Sequence, residues 1–529
     1  MLFEKFFNNA GASTPAKMPE FKRTKSSVPE ERELSGDLDQ DLNLITQAIG
    51  KPADLVIHKI FNLDGNQQPM VSVMYLKSLT DGPALGFQVI DPLNRYINEN
   101  KQDLTPAKTA RLLAAAEVLE YQDLRSATNS LLTGNALLFF PGCKTALAVD
   151  FPGFPRRQIE EPKTESVIRG PREGFTEVLT DNLGLIRRSI KDPNLRVEKL
   201  FLGERTKTEI NVLFLLDVAN PDIVAEVKKR LQRINIDGIL DSGYITGMIS
   251  DQRWTLFPLV QETERPDKVS AAILEGRVAI LMDKTPFVLI VPVTSTEFYQ
   301  TSEDFFLNFW IGAFIRYIRG IGTFISVTLP GLYVSLVAVN PTMMPVSLTH
   351  IISSGRTQVP IPVIFETALV FLIFEIFREA VLRVPPGINQ ILGISGGLLI
   401  GLIAVNSGMV SGATVIVVII SVLASFTTAI VSKEQAWRVV RYFLLFAGGS
   451  FGILGLTLAG ILVLNHMASL KSFGVTYLGP WAPPLFIDIV DAYFVLPWWL
   501  SFRRPPIYRP QQEDRLGTTR LEPTKEDEE

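Results

Sequence analysis

The sequence predicts a multi-domain chain in which an N-terminal cytosolic α/β region of two subdomains is followed by an all-α polytopic membrane domain of five or six spans. Three observations predict it. With 529 residues the chain is too long for one ordinary core, so two or three domains are expected. Charge is unevenly placed: nearly all of it lies before residue 320 and after residue 500, and Val384 to Ser432 holds no Asp, Glu, Lys or Arg. That uncharged run of about 49 residues can thread a hydrocarbon core of roughly 30 Å twice. Upstream, short β-rich runs such as "QPMVSVMYL" and "EINVLFLLD" alternate with helical runs such as "TARLLAAAEVLEYQ" and "PDIVAEVKKRLQRI".

Residues 1–40 mix Lys, Glu, Ser, Pro and Asn without apolar periodicity and read as a disordered arm. Subdomain 1 is expected over 41–155, a Pro- and Gly-rich linker over 156–175, and subdomain 2 over 176–310. The two subdomains share a pattern. "LLTGNALLFFPGCKTALAVD" and "ILEGRVAILMDKTPFVLIVP" each run helix end, Gly134 or Gly276, apolar strand, polar turn, apolar strand, which is a C-capped helix feeding a β-hairpin. The helical domain is expected over 311–505, with spans at 321–339, 359–383 and 442–464 and a tight hairpin around "NSGMVS". Residues 506–529 read as a disordered tail.

The opening residues lack an apolar stretch followed by a small-residue cleavage site, so the N-terminal region is expected to stay in the cytosol. Arg316, Arg319, Arg378, Arg383, Lys433, Arg438 and Arg441 fall on that same side when 359–383 runs outward to inward. The basic tail "SFRRPPIYRP" prefers the same side, which demands a sixth crossing or a re-entrant segment within 472–502.

A single cysteine, Cys143, rules out an intramolecular disulfide, and three scattered histidines, His58, His350 and His466, give no metal site. A net charge of −4 gives no argument for nucleic acid. "PGCKT" lacks the spacing of a phosphate loop, and no nucleophile elbow, HExxH or CxxC occurs. No enzyme activity and no cofactor are expected.

Gly393, Gly397 and Gly401 recur at i, i+4, i+8, and Gly448 and Gly452 at i, i+4, laying small-residue stripes that suit close helix packing. "FEIFREAVLRVPPG" places Glu375, Arg378, Glu379 and Arg383 in one sector of a helix, paired at i, i+3 and i, i+4. A span over 359–377 puts these charges at the interface and leaves Glu366 in the hydrocarbon. Buried ionisable residues are expensive and usually functional, so these five residues are the pore or gating candidates.

"REGFTEVLTDNLGLIRRSI", "DGILDSGYI", "ETERPDKVSAAILEGRVAIL", "FEIFREAVLRVPPGINQILGISGGLLIG", "SFGVTYLGPWAP" and "DIVDAYF" resemble, in this order, the A subunits of GerA-type nutrient germinant receptors. The resemblance implies a spore inner-membrane protein that works with a permease-like B subunit and a lipoprotein C subunit. It further implies a homo-oligomer acting as a ligand-gated ion channel that triggers germination. A secondary transporter and a non-conducting scaffold for the other subunits are the competing classes.

Overall fold

In the computed structural model the described residues are 32–61, 69–100, 104–113, 118–151, 167–384, 404–485 and 503–515, with isolated positions near 153–165 and 488–501. Contacts divide the chain into two units. One holds Met1–Gly153 with Lys191–Leu195, and the other Phe154–Ile190 with Arg196–Glu529.

In the first unit the described residues begin at 32, within the arm expected over 1–40. Leu34 is buried, and Glu33 bridges to Asp123. Helix α1 (Leu38–Ala48) starts at Asp37, whose carboxylate accepts the Asp39 and Gln40 amides. Strands β1 (Leu55–Phe61) and β2 (Pro69–Leu76) precede α2 (Asp91–Asn100); β3 (Val118–Tyr121), α3 (Leu124–Leu132), β4 (Ala136–Phe139) and β5 (Ala146–Val149) follow. The sheet order is β1-β2-β4-β5-β3, antiparallel throughout. One side of the sheet buries Val71, Val73, Leu138, Leu147 and Val149 against Leu85, Val89, Leu93 and Ile97. Gly134, at φ 107°, ends α3 in the left-handed region and lets the chain turn at once into β4.

The second unit contains α4 (Leu179–Ser189), β6 (Leu195–Leu202), β7 (Thr208–Leu215), α5 (Pro221–Gln232) and α6 (Ser242–Ile249). Next come β8 (Gln261–Thr263), α7 (Pro266–Leu274), β9 (Val278–Met282) and β10 (Val288–Val291). The sheet order, β6-β7-β9-β10-β8, repeats that of the first sheet strand for strand. Gly276, at φ 91°, takes the place of Gly134.

The longer helices that follow among the described residues are α8 (Phe309–Val334), α9 (Val346–Arg356), α10 (Val363–Arg383), α11 (Gly412–Ser425) and α12 (Val431–Ser469). Among the described residues two helical stretches, Phe309–Val339 and Val431–Ser469, are long and apolar enough to cross a membrane. Large apolar side chains cover the outer sides of the bundle, including Phe324, Phe365, Ile419, Leu423, Phe443, Leu458 and Leu462.

Helix α12 is two helices. Gly452 has φ 66° and ψ −152° and breaks it. The Phe257 ring lies 5.2 Å from that of Trp437 and 6.2 Å from that of His466. In a straight helix those two residues would be about 44 Å apart at 1.5 Å per residue. The limbs 431–451 and 453–469 therefore fold back on each other, and both outer ends return to the second α/β subdomain. The span expected over 442–464 is thus split at its middle, and Gly452 is the apex of a hairpin. Gly452, expected in a packing stripe, also takes a backbone region that only glycine enters without strain, and a Cβ there would run into the Asn340 side chain. The Ile453 amide, orphaned by the break, donates to Asn340 Oδ1 at 3.1 Å.

Gly448 does lie at a close approach, since a Cβ there would stand 2.6 Å from the Gly331 carbonyl oxygen of α8. Gly393, Gly397 and Gly401 lie outside the described residues. Contacts set the helix directions. Thr323 meets Thr428 and Asn340 meets Ile453, so α8 and the first limb run parallel. Arg378 meets Glu434 and Ile364 packs near Gly449, so α10 runs against them.

After α12 a short hairpin of β11 (Lys471–Ser472) and β12 (Val475–Thr476) docks on the second subdomain through Ser472 Oγ, which donates to the Leu259 carbonyl at 2.8 Å. Residues 506–515, expected in a disordered tail, lie on the same subdomain. Tyr508 is buried, and Gln511 donates to the Leu216 and Ala219 carbonyls. Ile507 and Tyr508 supply the apolar surface that makes this ordering favourable.

Candidate functional site

At the end of the bundle nearest the second subdomain, α10 and the first limb of α12 exchange charges. Arg378 donates through both terminal nitrogens to Glu434, at 3.0 and 3.2 Å. Arg438 donates to Glu375 at 3.0 Å and to Glu434 at 2.8 Å. Opposite charges alternate across the pair of helices, and the bidentate Arg378–Glu434 contact fixes their register. The local i, i+3 pairing of Glu375 with Arg378 is thereby replaced by contacts between helices. Glu379 and Arg383 pair with each other at 2.6 Å as an exposed i, i+4 couple, with side chains 62% and 78% exposed. Such a pair contributes about 0.3–0.5 kcal/mol.

Glu366 sits at the other end of the bundle, fully buried, in the first turn of α10. It is not bare in an apolar layer. One carboxylate oxygen accepts from Arg356 of α9, and the other accepts the Ser411 amide at 2.7 Å. Ser411 itself caps α11 by accepting the Thr414 amide, and the Thr414 hydroxyl reaches the Tyr333 hydroxyl at 3.1 Å. Glu366 therefore joins α9, α10 and the start of α11, which leads to α8 through Thr414.

A third cluster lies where α12 begins. Lys433 is fully buried, and among the described residues no carboxylate lies within ion-pair distance of it. Its Nζ donates to Ser295 Oγ at 2.8 Å and to the Tyr477 hydroxyl at 2.7 Å. Five ring centroids surround the nitrogen: Tyr477 at 4.7 Å, Phe257 at 5.2 Å, Phe298 at 5.4 Å, Trp437 at 5.6 Å and Tyr299 at 5.8 Å. Negative ring faces stabilise a cation by about 2 kcal/mol or more when water is absent. Burial pushes the Tyr477 hydroxyl well above its ordinary value, so it stays protonated as the acceptor of the Lys433 bond. Ser295 and Phe298 belong to the turn after β10, Phe257 to the loop before β8, and Tyr477 follows β12. The cage thus binds one helix to three parts of the subdomain.

Below it, Arg277, just before β9, donates to the Pro292 carbonyl, to Glu297 and to Gln261, and Tyr508 donates to Glu297 at 2.8 Å. At the base of α8, Asp304 accepts from Arg316 at 3.3 Å and Arg319 at 2.8 Å. The basic residues of α8, α10 and the first limb thus gather at one end of the bundle.

Of the five candidates, Glu375 and Arg378 come together through Glu434 and Arg438, Glu379 and Arg383 form a separate exposed pair, and Glu366 stands at the opposite end. Sequence reasoning missed Arg356, Glu434 and the caged Lys433. Lys433 carried a signal, as the first charge after the long uncharged run, but it was read only for its sign.

A duplicated α/β fold joined to a bundle of outward-apolar helices, with one hairpin returning both ends to the α/β part, defines the class. Within it the chain belongs to the GerA family of spore germination proteins: residues 43–507 match the family described as Bacillus/Clostridium GerA spore germination protein. It is 36% identical to Spore germination protein KA of Bacillus subtilis (strain 168), over 92% of this chain and 89% of that one. It is 34% identical to the Uncharacterized membrane protein YfkQ of the same organism, over 94% of this chain and 96% of that one. Half of the chain also aligns, at 29% identity and a TM-score of 0.40, with 98% of a crystal structure of the N-terminal domain of the A subunit of the Bacillus megaterium spore germinant receptor GerK3.

Proposed function

We propose that this chain is the A subunit of a nutrient germinant receptor in the spore inner membrane, with subdomains at 41–155 and 176–310 facing the cytosol. In this reading it assembles with a permease-like B subunit, a lipoprotein C subunit and further copies of itself, and forms a ligand-gated ion channel. The outward apolar sides of α8, α10, α11 and α12 suit lipid or neighbouring subunits, because in water they would expose large continuous apolar area. In this reading α8, α10, α11 and the two limbs of α12 supply five of the five or six crossings expected from the sequence.

One observation carries the coupling role. The α12 hairpin is seated by both ends on the second subdomain, while its first limb holds Glu375 and Arg378 of α10 through Glu434 and Arg438. A shift of the subdomain that displaces the limb must break or re-pair those contacts. Glu375, Arg378, Glu379 and Arg383 then act as the gate, and Glu366 as a coupling residue at the far end.

Vesicles containing the assembled receptor test this. Nutrient-dependent unitary conductance supports the channel, saturable uptake supports a transporter, and neither supports a scaffold. Glu366→Gln removes the buried carboxylate that pairs with the half-buried Arg356, at a cost of about 3–5 kcal/mol. Arg356→Met added to Glu366→Gln should therefore recover assembly. Ion release that stays defective in the recovered double variant places Glu366 in the coupling path, and restored release removes it.

A further inference from the structure

We propose that the loop between α6 and β8 is a bilayer anchor, with Trp254 seated at the boundary between lipid headgroups and acyl chains and Arg253 beside the headgroup phosphates. This rests on the membrane reading above and goes beyond it, because it assigns a lipid-binding surface to the α/β part of the chain.

Trp254 is 99% exposed, although the loop that carries it is held at four points. Asp251 accepts from Arg230 at 2.9 Å and from the Phe473 amide at 2.7 Å. The Thr255 hydroxyl bonds His466 Nε2 at 3.0 Å, Phe257 packs edge-on against Trp437, and the Leu259 carbonyl accepts from Ser472. Three of these five partners, Phe473, His466 and Ser472, lie at or just beyond the end of the second limb of α12. With these contacts made, the loop has no freedom to fold Trp254 inward.

Position supplies the occupant. The outward side of the second limb exposes Leu458, Ile461, Leu462 and Leu464. His466 is only about 3 Å further along the helix. Since Thr255 touches His466, its neighbour Trp254 continues that apolar strip to the level where the limb leaves it. Leu256, two residues on, is 54% exposed and extends the same edge. An indole, apolar in body with one N–H, partitions to the headgroup level, where both parts are satisfied. Arg253 is exposed and forms no ion pair among the described residues, so its guanidinium is available for phosphate.

The test uses the full chain in nanodiscs whose lipids are brominated near the headgroup end of the acyl chains. Subtracting the emission of Trp254→Phe from that of the unaltered chain isolates Trp254, and its exposure makes the variant tolerable. We expect this difference emission to be blue-shifted, quenched several-fold by the brominated lipid, and shielded from iodide. Leu462→Trp in the Trp254→Phe background reports whether the limb itself meets lipid. A quenched Leu462→Trp with a Trp254 that is open to iodide and blind to bromine overturns the anchor alone. If neither senses bromine, the membrane reading falls with it. A Trp254 shielded only after the other receptor subunits are added assigns the surface to a protein partner and overturns the lipid assignment.

Discussion

The two five-stranded subdomains share a strand order but complete their cores differently. The first closes its sheet with neighbours in sequence, Leu85, Val89, Leu93 and Ile97. The second takes Phe473, Val475 and Tyr508 from far downstream, and its loops hold both ends of α12. Duplication thus supplied one scaffold twice, and the second copy carries attachments of the helical bundle. Even corresponding edge residues diverge. Glu120 of β3 stands opposite Leu147 and is exposed, whereas Glu262 of β8 stands opposite Leu289, half-buried and bonded to Thr246.

The comparison is broken most severely at the helix contact. Gly448→Val drives a branched side chain into the Gly331 backbone, an overpacking that costs about 3 kcal/mol. Region-resolved hydrogen exchange should show lost protection in α8, α12 and the turn holding Ser295, with the first sheet unchanged. Equal loss in both sheets would erase the distinction.

A smaller effect separates stability from coupling. Tyr477→Phe removes an acceptor from the buried Lys433, and Ser78→Ala removes a 2.5 Å partner from the buried Asp54 of the first subdomain. Each should cost about 1–3 kcal/mol. Only Tyr477→Phe should impair nutrient-triggered ion release from the assembled receptor at matched receptor levels. An equal defect in Ser78→Ala would spread coupling over both subdomains.

The smallest effect concerns pH. Burial, reinforced by nearby Asp241, raises the pKa of Glu262 despite its bond from Thr246. A raised acid pKa means the folded state holds the proton more tightly. That stability is complete below the unfolded value of about 4.3 and is lost as pH rises through the folded pKa. Glu262→Gln should therefore raise the melting midpoint slightly at neutral pH, with the gain vanishing in acid. Glu120→Gln, at an exposed edge, should leave the melting midpoint at neutral pH unchanged.

The strand hairpins after Gly134 and Gly276 were legible because apolar runs, a polar turn and a capping glycine are all local signals. The remainder of the shared topology was not, since edge pairings such as β3 with β5 join segments whose order carries no periodicity. The break at Gly452 was not legible, because a glycine at i+4 from another looks the same whether it packs a helix or breaks one. The basic tail carried the clue that the chain must return, and at Gly452 the two limbs of α12 do fold back on each other. Glu366 looked isolated because its partner Arg356 lies across two prolines, Pro360 and Pro362, in a separate helix. Glu375 and Arg378 were paired with each other because sequence displays only neighbours along one helix, and Glu434 outcompetes that pairing from another.

The apex at Gly452 turns α12 into a lever with both feet on one base. The limbs are about 32 and 26 Å long, so tilting the base by roughly 5° would carry the apex about 2–3 Å. Because the feet move together, neither limb needs to slide past the other. The displacement is delivered at the tip, beside Asn340, one helix away from the buried Glu366. A small rotation at the α/β end is therefore converted into an ångström-scale stroke at the opposite face of the bundle.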